Sequence, residues 1–186
     1  MDTINVRKAC YSDKMIISIL LADALKKYST AISETIYTFA KALEKNINLD
    51  LYNIVEYKNE IIGVIAISNN NVFSIKTDLH TYIKYFGLVK GIIAKVMLFP
   101  NLDRKKKINK TTAYIDFLII KEDYRKKHVV KIIMDYITFT YNYSDYLLDV
   151  SNVHKDIIEL YKSCGFNLLK KQNKIDEKLL MKYTIL

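Results

Sequence analysis

The chain has 186 residues, of which 51% are hydrophobic, and it carries a formal net charge of +9 at pH 7. A chain of this length can bury a core large enough to fold as one domain, here residues 1–186, without disulfides or a metal. Its most apolar stretch, residues 88–99, is interrupted by lysines and is shorter than the ~20 apolar residues that a membrane-spanning helix needs. Cys10 and Cys164 form no Cys-x-x-Cys pair, which favours a reduced, cytoplasmic setting.

The first half of the chain predicts a strand, two helices, a hairpin and a longer helix, in that order. The strands are expected at residues 4–8, 52–57 and 61–68, and the helices at residues 12–20, 32–47 and 79–99. A tight turn at residues 58–60 should join the two hairpin strands. The longer helix contains Gly87 and Gly91, which weaken it, and Pro100 should end it because proline cannot donate the helical hydrogen bond.

The second half of the chain alternates between strands and helices. The strands are expected at residues 111–120, 146–150, 166–170 and 179–185, and the helices at residues 126–143 and 152–164. Apolar residues of the first of these helices recur at three- and four-residue steps, so they form one buried stripe. Gly165 follows the second helix directly, where the freedom of glycine to take a positive φ commonly ends a helix.

The positive charge is concentrated between residues 79 and 115, where Asp103 is the only acidic residue. A basic stripe of this kind can attract phosphate, nucleic acid or anionic lipid. However, the chain is rich in Lys, Asn, Ile and Tyr, which A/T-rich codons encode, and base composition alone could supply much of the lysine excess. We therefore expect the basic loop at residues 104–110 to be a solvated surface, with neither nucleic acid nor a membrane as the main partner.

Two motifs in the second half carry a resemblance to a known family. The first is Ile120-Lys121-Glu122-Asp123-Tyr124-Arg125, followed by an amphipathic helix. The second is Leu148-Asp149-Val150, followed by Leu160-Tyr161-Lys162-Ser163-Cys164-Gly165-Phe166. Together, in this order and at this distance, they resemble the GNAT (general N-acetyltransferase) family over residues 111–170. The resemblance implies an α+β fold, an α/β/α layered domain with a mixed, mainly antiparallel sheet. In that fold, strands 111–120 and 146–150 are parallel neighbours.

The resemblance also implies an enzyme that moves an acetyl group from acetyl-CoA, as co-substrate, directly to an amine of a small molecule or peptide. The thioester would lie in a gap between strands 111–120 and 146–150, and no metal is expected. The residues expected to contact the coenzyme are Leu118, Ile119, Ile120, Arg125, Lys126, Lys127, His128, Val129, Val130 and His154. The two N-terminal helices and residues 79–110 would shape the acceptor site.

Tyr161 and Asp116 are the candidate catalytic residues. Tyr161 is similar to the family tyrosine that protonates the departing thiolate, and Asp116 could accept a proton from the incoming ammonium. Each has a structural alternative: Tyr161 could be a packed tyrosine with a satisfied hydroxyl, and Asp116 could be a solvent-facing charge. Strand alternation predicts that Asp116 shares a face with Leu118 and Ile120.

The loop that should hold the coenzyme departs from the family pattern Arg/Gln-x-x-Gly-x-Gly/Ala. His128 and Val130 stand where the small residues belong, and these let backbone amides approach a pyrophosphate closely. A Cβ at each position should push the phosphates outward, although Lys126 and Lys127 could compensate as point charges. His154 stands where the family commonly has Asn. We therefore expect weakened coenzyme binding.

Two other interpretations remain open. One is a degenerate binding or regulatory module that kept the fold and lost the coenzyme loop. The other is a basic peripheral protein whose segment 79–110 docks on anionic lipid or nucleic acid.

Overall fold

The computed structural model describes residues 3–69, 72–102, 108–172 and 178–185. The strands in the described part of the chain are β1 (Ile4–Lys8), β2 (Tyr52–Tyr57), β3 (Glu60–Ser68), β4 (Thr112–Ile120), β5 (Asp145–Ser151), β6 (Asn167–Gln172) and β7 (Lys178–Thr184). The α-helices are α1 (Lys14–Ala24), α2 (Lys26–Ile32), α3 (Ile36–Asn46), α4 (Leu79–Phe86), α5 (Leu88–Leu102), α6 (Lys127–Thr140) and α7 (Lys155–Ser163). Among these described helices, none is both long enough and apolar enough to span a membrane.

The chain divides into two compact units. The first combines Met1–Arg7, Ile54–Asn70 and Lys107–Leu186, and the second combines Lys8–Asn53 and Asn71–Lys106. Most of the sheet, with α6 and α7, belongs to the first unit, whereas α1 to α5 belong to the second. Whether residues 1–186 behave as a single domain stays a prediction.

The strands form one seven-stranded sheet in the order β1-β2-β3-β4-β5-β7-β6. β4 and β5 run parallel, and α6 lies between them in the chain. β3 pairs with β4, β5 with β7 and β6 with β7, all antiparallel. The mixed, mainly antiparallel sheet and the parallel pairing of these two strands are therefore confirmed.

The turn between β2 and β3 explains why this hairpin could be predicted. Lys58 and Asn59 have φ values of 50° and 63°, both in the left-handed region. Two consecutive residues with positive φ give a turn whose twist matches that of the flanking strands, and Asn is among the residues that tolerate this backbone conformation.

The core of the first unit lies between one face of the sheet and the helices α6 and α7. Tyr146, Leu148 and Val150 alternate along β5 toward this core, and α6 contributes Val130 and Ile133, which are fully buried. Each fully buried aliphatic side chain contributes about 1.5–3 kcal/mol relative to an exposed one. This packing holds α6 and α7 against that face of the sheet.

Two helix predictions in the second unit need correction. The helix expected at residues 32–47 is α3, but it begins four residues later than predicted, because Ile32 ends α2 and the N-cap of α3 is Thr35, whose Oγ1 accepts the Thr38 amide at 3.1 Å. The helix expected at residues 79–99 is two helices, divided at Gly87, where φ is 78°.

The expected end of the longer helix at Pro100 is wrong. α5 continues to Leu102, so the proline lies in the last turn, where it removes only one amide donor from a helix that is about to end. Residues 103–107, which make up most of the predicted basic loop, lie outside the described residues.

Candidate active site

The strands β4 and β5 are paired over only part of their length. Their register runs from Thr112 opposite Asp145 to Ile115 opposite Leu148. Beyond that point β4 stays paired with β3 as far as Ile120, while β5 stays paired with β7 as far as Ser151. Each strand therefore follows its other neighbour, and the sheet opens between the carboxyl halves of β4 and β5.

Backbone groups of β4 line this opening. The Lys121 amide donates to the carbonyl oxygen of Ile62 in β3 at 2.8 Å. Because hydrogen-bonding direction alternates along a strand, Ile119 also faces β3, whereas Leu118 and Ile120 turn their amides and carbonyls toward the side that β5 has left. Of the three backbone contacts predicted for the coenzyme, Leu118 and Ile120 thus face the opening and Ile119 does not.

Asp116 occupies a bulge in β4. β3 pairs Ala66 with Phe117 and Ile67 with Ile115, so Asp116 has no residue opposite it in β3. A bulge of this kind bends the strand and redirects a side chain. The Asp116 carboxylate, through Oδ1, accepts a hydrogen bond from the hydroxyl of Ser68 at 2.9 Å.

Because of the bulge, Asp116 lies on the opposite face of the sheet from the one predicted. Ser68 lies opposite Tyr114, and its face is the reverse of the one that carries Leu118 and Ile120. By bonding to Ser68, Asp116 joins the Tyr114 face. Simple alternation failed because the bulge inserts one extra residue between the two halves of the strand.

A second carboxylate lies on the Tyr114 face. The Tyr114 hydroxyl is hydrogen-bonded to Asp149 of β5, and burial of Tyr114, together with the negative charge of Asp149, raises the pKa of the tyrosine. Tyr114 lies opposite Leu147, two residues before Asp149, so the parallel register brings the pair together. This pair could not be predicted from the sequence, because only the register between β4 and β5 brings the two residues together.

Tyr161 is buried at the edge of the core. It is 8% exposed, and its ring lies against Phe166 with 5.5 Å between the ring centroids. Burial raises the pKa of its hydroxyl, while the nearby positive charge of Arg125 acts in the opposite direction. The Nε of Arg125 also donates to the carbonyl oxygen of Ile120 at 2.8 Å. Arg125 therefore connects the end of β4 with the tyrosine.

The start of α6 presents amides and positive charge at the same place. Val129 and Val130 donate their amides to the carbonyl oxygen of Lys126, at 3.0 and 3.3 Å. The amides of Lys127 and His128 precede these bonds, at the helix end where backbone amides lack intrahelical partners. The side chains of Lys126, Lys127 and His128 are exposed. This arrangement can hold an anion.

The two substituted loop positions differ in where their side chains lie. Val130 is fully buried in the core beneath α6, so its side chain points away from the exposed helix start. His128 is exposed. The expectation that both side chains push phosphates outward is corrected accordingly: only His128 stands at the surface where an anion would approach.

Two further predicted residues lie where α7 begins and ends. His154 precedes α7 as an exposed residue and makes no side-chain cap hydrogen bond. Cys164 follows α7 and is buried, and its thiol donates to the carbonyl oxygen of Lys127 at 3.6 Å. Burial raises the pKa of this thiol. Cys164 thus joins the end of α7 to the first turn of α6.

A family model described as "Acetyltransferase (GNAT) family" matches residues 15–166. The chain belongs to the GNAT family. No curated protein sequence matches the chain. Solved structures that share the GNAT fold with it include an N-acetyltransferase from Staphylococcus aureus Mu50, at 14% identity and a TM-score of 0.68, covering 97% of this chain and 100% of that one.

Two further solved structures with this fold contain coenzyme A. The PaiA N-acetyltransferase of Thermoplasma acidophilum is 13% identical, with a TM-score of 0.57, and covers 98% of this chain and 99% of that chain. The spermidine N-acetyltransferase of Vibrio cholerae, solved with CoA and spermine, is 14% identical with a TM-score of 0.57, covering 97% and 95%. At these identities the similarity shows the fold alone.

Within the GNAT fold, the predicted residues fall into three places. Asp116 lies at the bulge, with Tyr114 and Asp149 on the same face. Leu118 and Ile120 offer backbone groups in the opening, and Arg125 links Ile120 to Tyr161. The start of α6 supplies amides and lysines. The side chains of Val129 and Val130 are buried in the core, so only their backbone groups could contact a ligand.

Proposed function

We propose that this GNAT protein transfers an acetyl group from acetyl-CoA directly to an amine of a small molecule or peptide. The observation that supports the proposal best is the opening of the sheet beyond Ile115 and Leu148. There, Leu118 and Ile120 turn backbone groups away from β3, so an extended amide-bearing chain could hydrogen-bond to β4 without displacing a strand. The pantetheine arm of acetyl-CoA is such a chain.

The start of α6 fits the phosphate end of the co-substrate. The amides of Lys127 and His128 are available there, and the helix dipole favours negative charge at this end. Lys126 and Lys127 add exposed positive charge. The His128 side chain hinders close contact between a phosphate and these amides. Coenzyme binding should therefore depend more on charge, and so on salt concentration, than it would with glycine at this position.

Asp116 is proposed to take the proton of the acceptor amine. An amine is protonated in neutral solution and must lose a proton before its nitrogen can attack. The hydrogen bond from Ser68 holds the Asp116 carboxylate at the bulge, and Asp149 adds a second negative charge on that face. Two carboxylates together would attract a cationic acceptor. Spermine, present in the Vibrio cholerae enzyme structure, is a probe of that kind.

Tyr161 is proposed to supply a proton to sulfur. The neutral amine nitrogen forms a bond to the acetyl carbon, the carbon–sulfur bond breaks, and the sulfur leaves with the electron pair and takes the tyrosine proton. The second proton lost by the nitrogen as the amide forms restores the tyrosine hydroxyl, so the net proton released is the one that Asp116 accepted. The Tyr161 hydroxyl is protonated at neutral pH, as a proton donor must be, and burial raises its pKa above the ordinary tyrosine value. The Arg125 charge lowers the cost of the tyrosinate that forms, so Arg125 is a positioning residue for the acid.

The proposal is tested with the purified protein in two measurements. Calorimetry with acetyl-CoA at low and moderate salt should show binding that weakens as salt rises. Release of free thiol in the presence of acetyl-CoA and spermine, spermidine or lysine-containing peptides should identify an acceptor, and mass spectrometry should find it heavier by one acetyl group. Acetyl-CoA binding without any turnover would favour the regulatory module, and absence of both would contradict the proposal.

A further inference from the structure

A long insertion joins two neighbouring strands of the sheet and carries an exposed apolar surface. β3 and β4 are adjacent and antiparallel, an arrangement that a hairpin of a few residues can connect. Here residues 69–111 intervene and include the helices α4 and α5. The part of the insertion that contains both helices, Asn71–Lys106, belongs to the second compact unit. The insertion is therefore much longer than the connection between the two strands requires.

One side of α5 is packed within the second unit. Gly91, Ala94 and Leu98 are buried and recur at three- and four-residue steps. A Cβ on Gly91 would lie 2.7 Å from backbone atoms of Ile83, so α4 and α5 are in close contact there. This stripe is the packed face of α5, and close packing explains why its residues are small or apolar.

The opposite side of α5 is apolar as well, but it is exposed. The exposed fractions of its side chains are 63% for Leu88, 70% for Val89, 47% for Ile92, 42% for Ile93 and 67% for Val96. We call these residues the outer face of α5. A helix that is apolar on all sides is normally buried on all sides, and a contiguous exposed apolar patch marks an interaction site.

The charges around the outer face limit what can cover it. Residues 79–102 contain no acidic residue, and Lys84 and Lys90 are exposed. A second copy of the same face would bring these positive charges together, which opposes self-association. An anionic partner would match them.

The chemistry of the outer face distinguishes between anionic partners. Its side chains are aliphatic, whereas proteins that hold single-stranded nucleic acid stack the bases on aromatic side chains. Aliphatic side chains flanked by lysines suit the boundary between lipid headgroups and acyl chains, where such a helix lies in the plane of the membrane. That position differs from spanning the bilayer, for which the described helices are too short or too polar.

We propose that the outer face of α5 docks the protein on an anionic lipid surface. α5 lies along the membrane with Leu88, Val89, Ile92, Ile93 and Val96 toward the acyl chains. The exposed Lys84 and Lys90 pair with lipid phosphates and carboxylates. The docking is independent of acetyl transfer and holds whether or not the protein proves to be an active enzyme.

The test uses the whole chain and vesicles of phosphatidylcholine with or without phosphatidylserine. The parent should sediment with the phosphatidylserine vesicles at low salt and be released as salt rises. Val96→Glu should weaken this binding about tenfold or more, because it replaces a lipid-facing aliphatic group by a negative charge. Val153→Glu is the matched control, since Val153 is 66% exposed against 67% for Val96 and lies outside α5.

Several outcomes would overturn the docking proposal. They are failure of the parent to bind phosphatidylserine vesicles at low salt, equal loss in the two valine variants, and binding to nucleic acid in preference to vesicles. A fourth such outcome is a parent that is dimeric by sedimentation equilibrium and does not bind vesicles, with Val96→Glu being monomeric. The outer face would then be a self-association surface. Circular dichroism confirms folding, and Val89→Glu, at a residue 70% exposed, replaces Val96→Glu if that variant misfolds.

Discussion

The hydroxyl of Ser68 donates a hydrogen bond to Asp116 Oδ1 at 2.9 Å, and this contact joins β3 to the bulge in β4. It holds the carboxylate on the Tyr114 face, beside the point where β4 separates from β5. The bulge and the separation of the strands therefore occur at the same place. A carboxylate held at the mouth of an opening between strands is positioned to act on a group bound there.

The proposed role of Asp116 as a base predicts a large effect of Asp116→Asn on activity and a small effect on stability. The amide oxygen of asparagine can still accept the Ser68 hydrogen bond, but it cannot take a proton. We expect kcat/KM to fall about 10²–10⁴-fold at neutral pH, with the melting temperature nearly unchanged. Asp135→Asn, at an exposed carboxylate on α6, is the control and should leave kcat/KM at the parental value. Parental activity in Asp116→Asn would remove Asp116 from the mechanism.

The proposed role of Tyr161 as an acid predicts that Tyr161→Phe lowers kcat and leaves acetyl-CoA affinity unchanged. Phenylalanine keeps the ring that packs against Phe166, so the core should remain intact. Tyr146→Phe is a matched control in the same core, because the Tyr146 hydroxyl donates to the carbonyl oxygen of Tyr141 at 3.0 Å. That variant should lose about 0.5–1.5 kcal/mol of stability and retain kcat. Steady-state kinetics and thermal unfolding of both variants distinguish a catalytic hydroxyl from one that only stabilises the core. Equal turnover of Tyr161→Phe and the parent would exclude Tyr161 as the proton donor.

Local sequence patterns predicted the elements whose formation depends on neighbouring residues. The hairpin turn at Lys58 and Asn59 is one example, since its backbone conformation follows from residue type. The parallel pairing of β4 with β5 came from the resemblance to a family. The bulge at Asp116 and the contact between Tyr114 and Asp149 could not be predicted, because both depend on register between strands far apart in the chain.

The altered coenzyme loop predicts that His128→Gly tightens acetyl-CoA binding. His128 is the exposed residue of the two substituted positions, and glycine would let a phosphate approach the first amides of α6 more closely. We expect about a tenfold lower Kd and a weaker dependence on salt, because one gained charge-assisted hydrogen bond contributes roughly 1.5–3 kcal/mol. Calorimetry at two salt concentrations measures both effects.

The comparison variant for the coenzyme loop is Val130→Gly, which should behave differently. Val130 is fully buried, so its removal leaves a cavity in the core and places a glycine inside α6. Loss of a buried aliphatic side chain costs about 2–5 kcal/mol, so this variant should unfold at a lower temperature with no gain in affinity. Tighter binding by Val130→Gly than by His128→Gly would show that the assignment of the two positions is reversed.

Buried tyrosines predict that the protein loses stability in alkaline solution. Burial raises the pKa of Tyr146 from 10.0 to about 12, and it also raises the pKa of Tyr161 and Tyr114. Above pH 10 these hydroxyls ionise in the unfolded chain but stay protonated in the folded one, so the unfolded state binds fewer protons. The stabilising contribution of these tyrosines is therefore fully present below pH 10. As the pH rises toward the folded-state pKa values, the free energy of unfolding falls by about 1.4 kcal/mol per pH unit for each such tyrosine.

Urea unfolding between pH 8 and 11 measures this loss, and two tyrosine variants assign it. Tyr146→Phe removes one hydroxyl with a raised pKa, so its stability should fall less steeply above pH 10 than that of the parent. Tyr11→Phe is the control, because Tyr11 is 82% exposed and its hydroxyl meets water in both states. Its pH dependence should match that of the parent. The same slope above pH 10 in parent, Tyr146→Phe and Tyr11→Phe would show that Tyr146 ionises equally in the folded and unfolded chain, against the burial that the structure gives it.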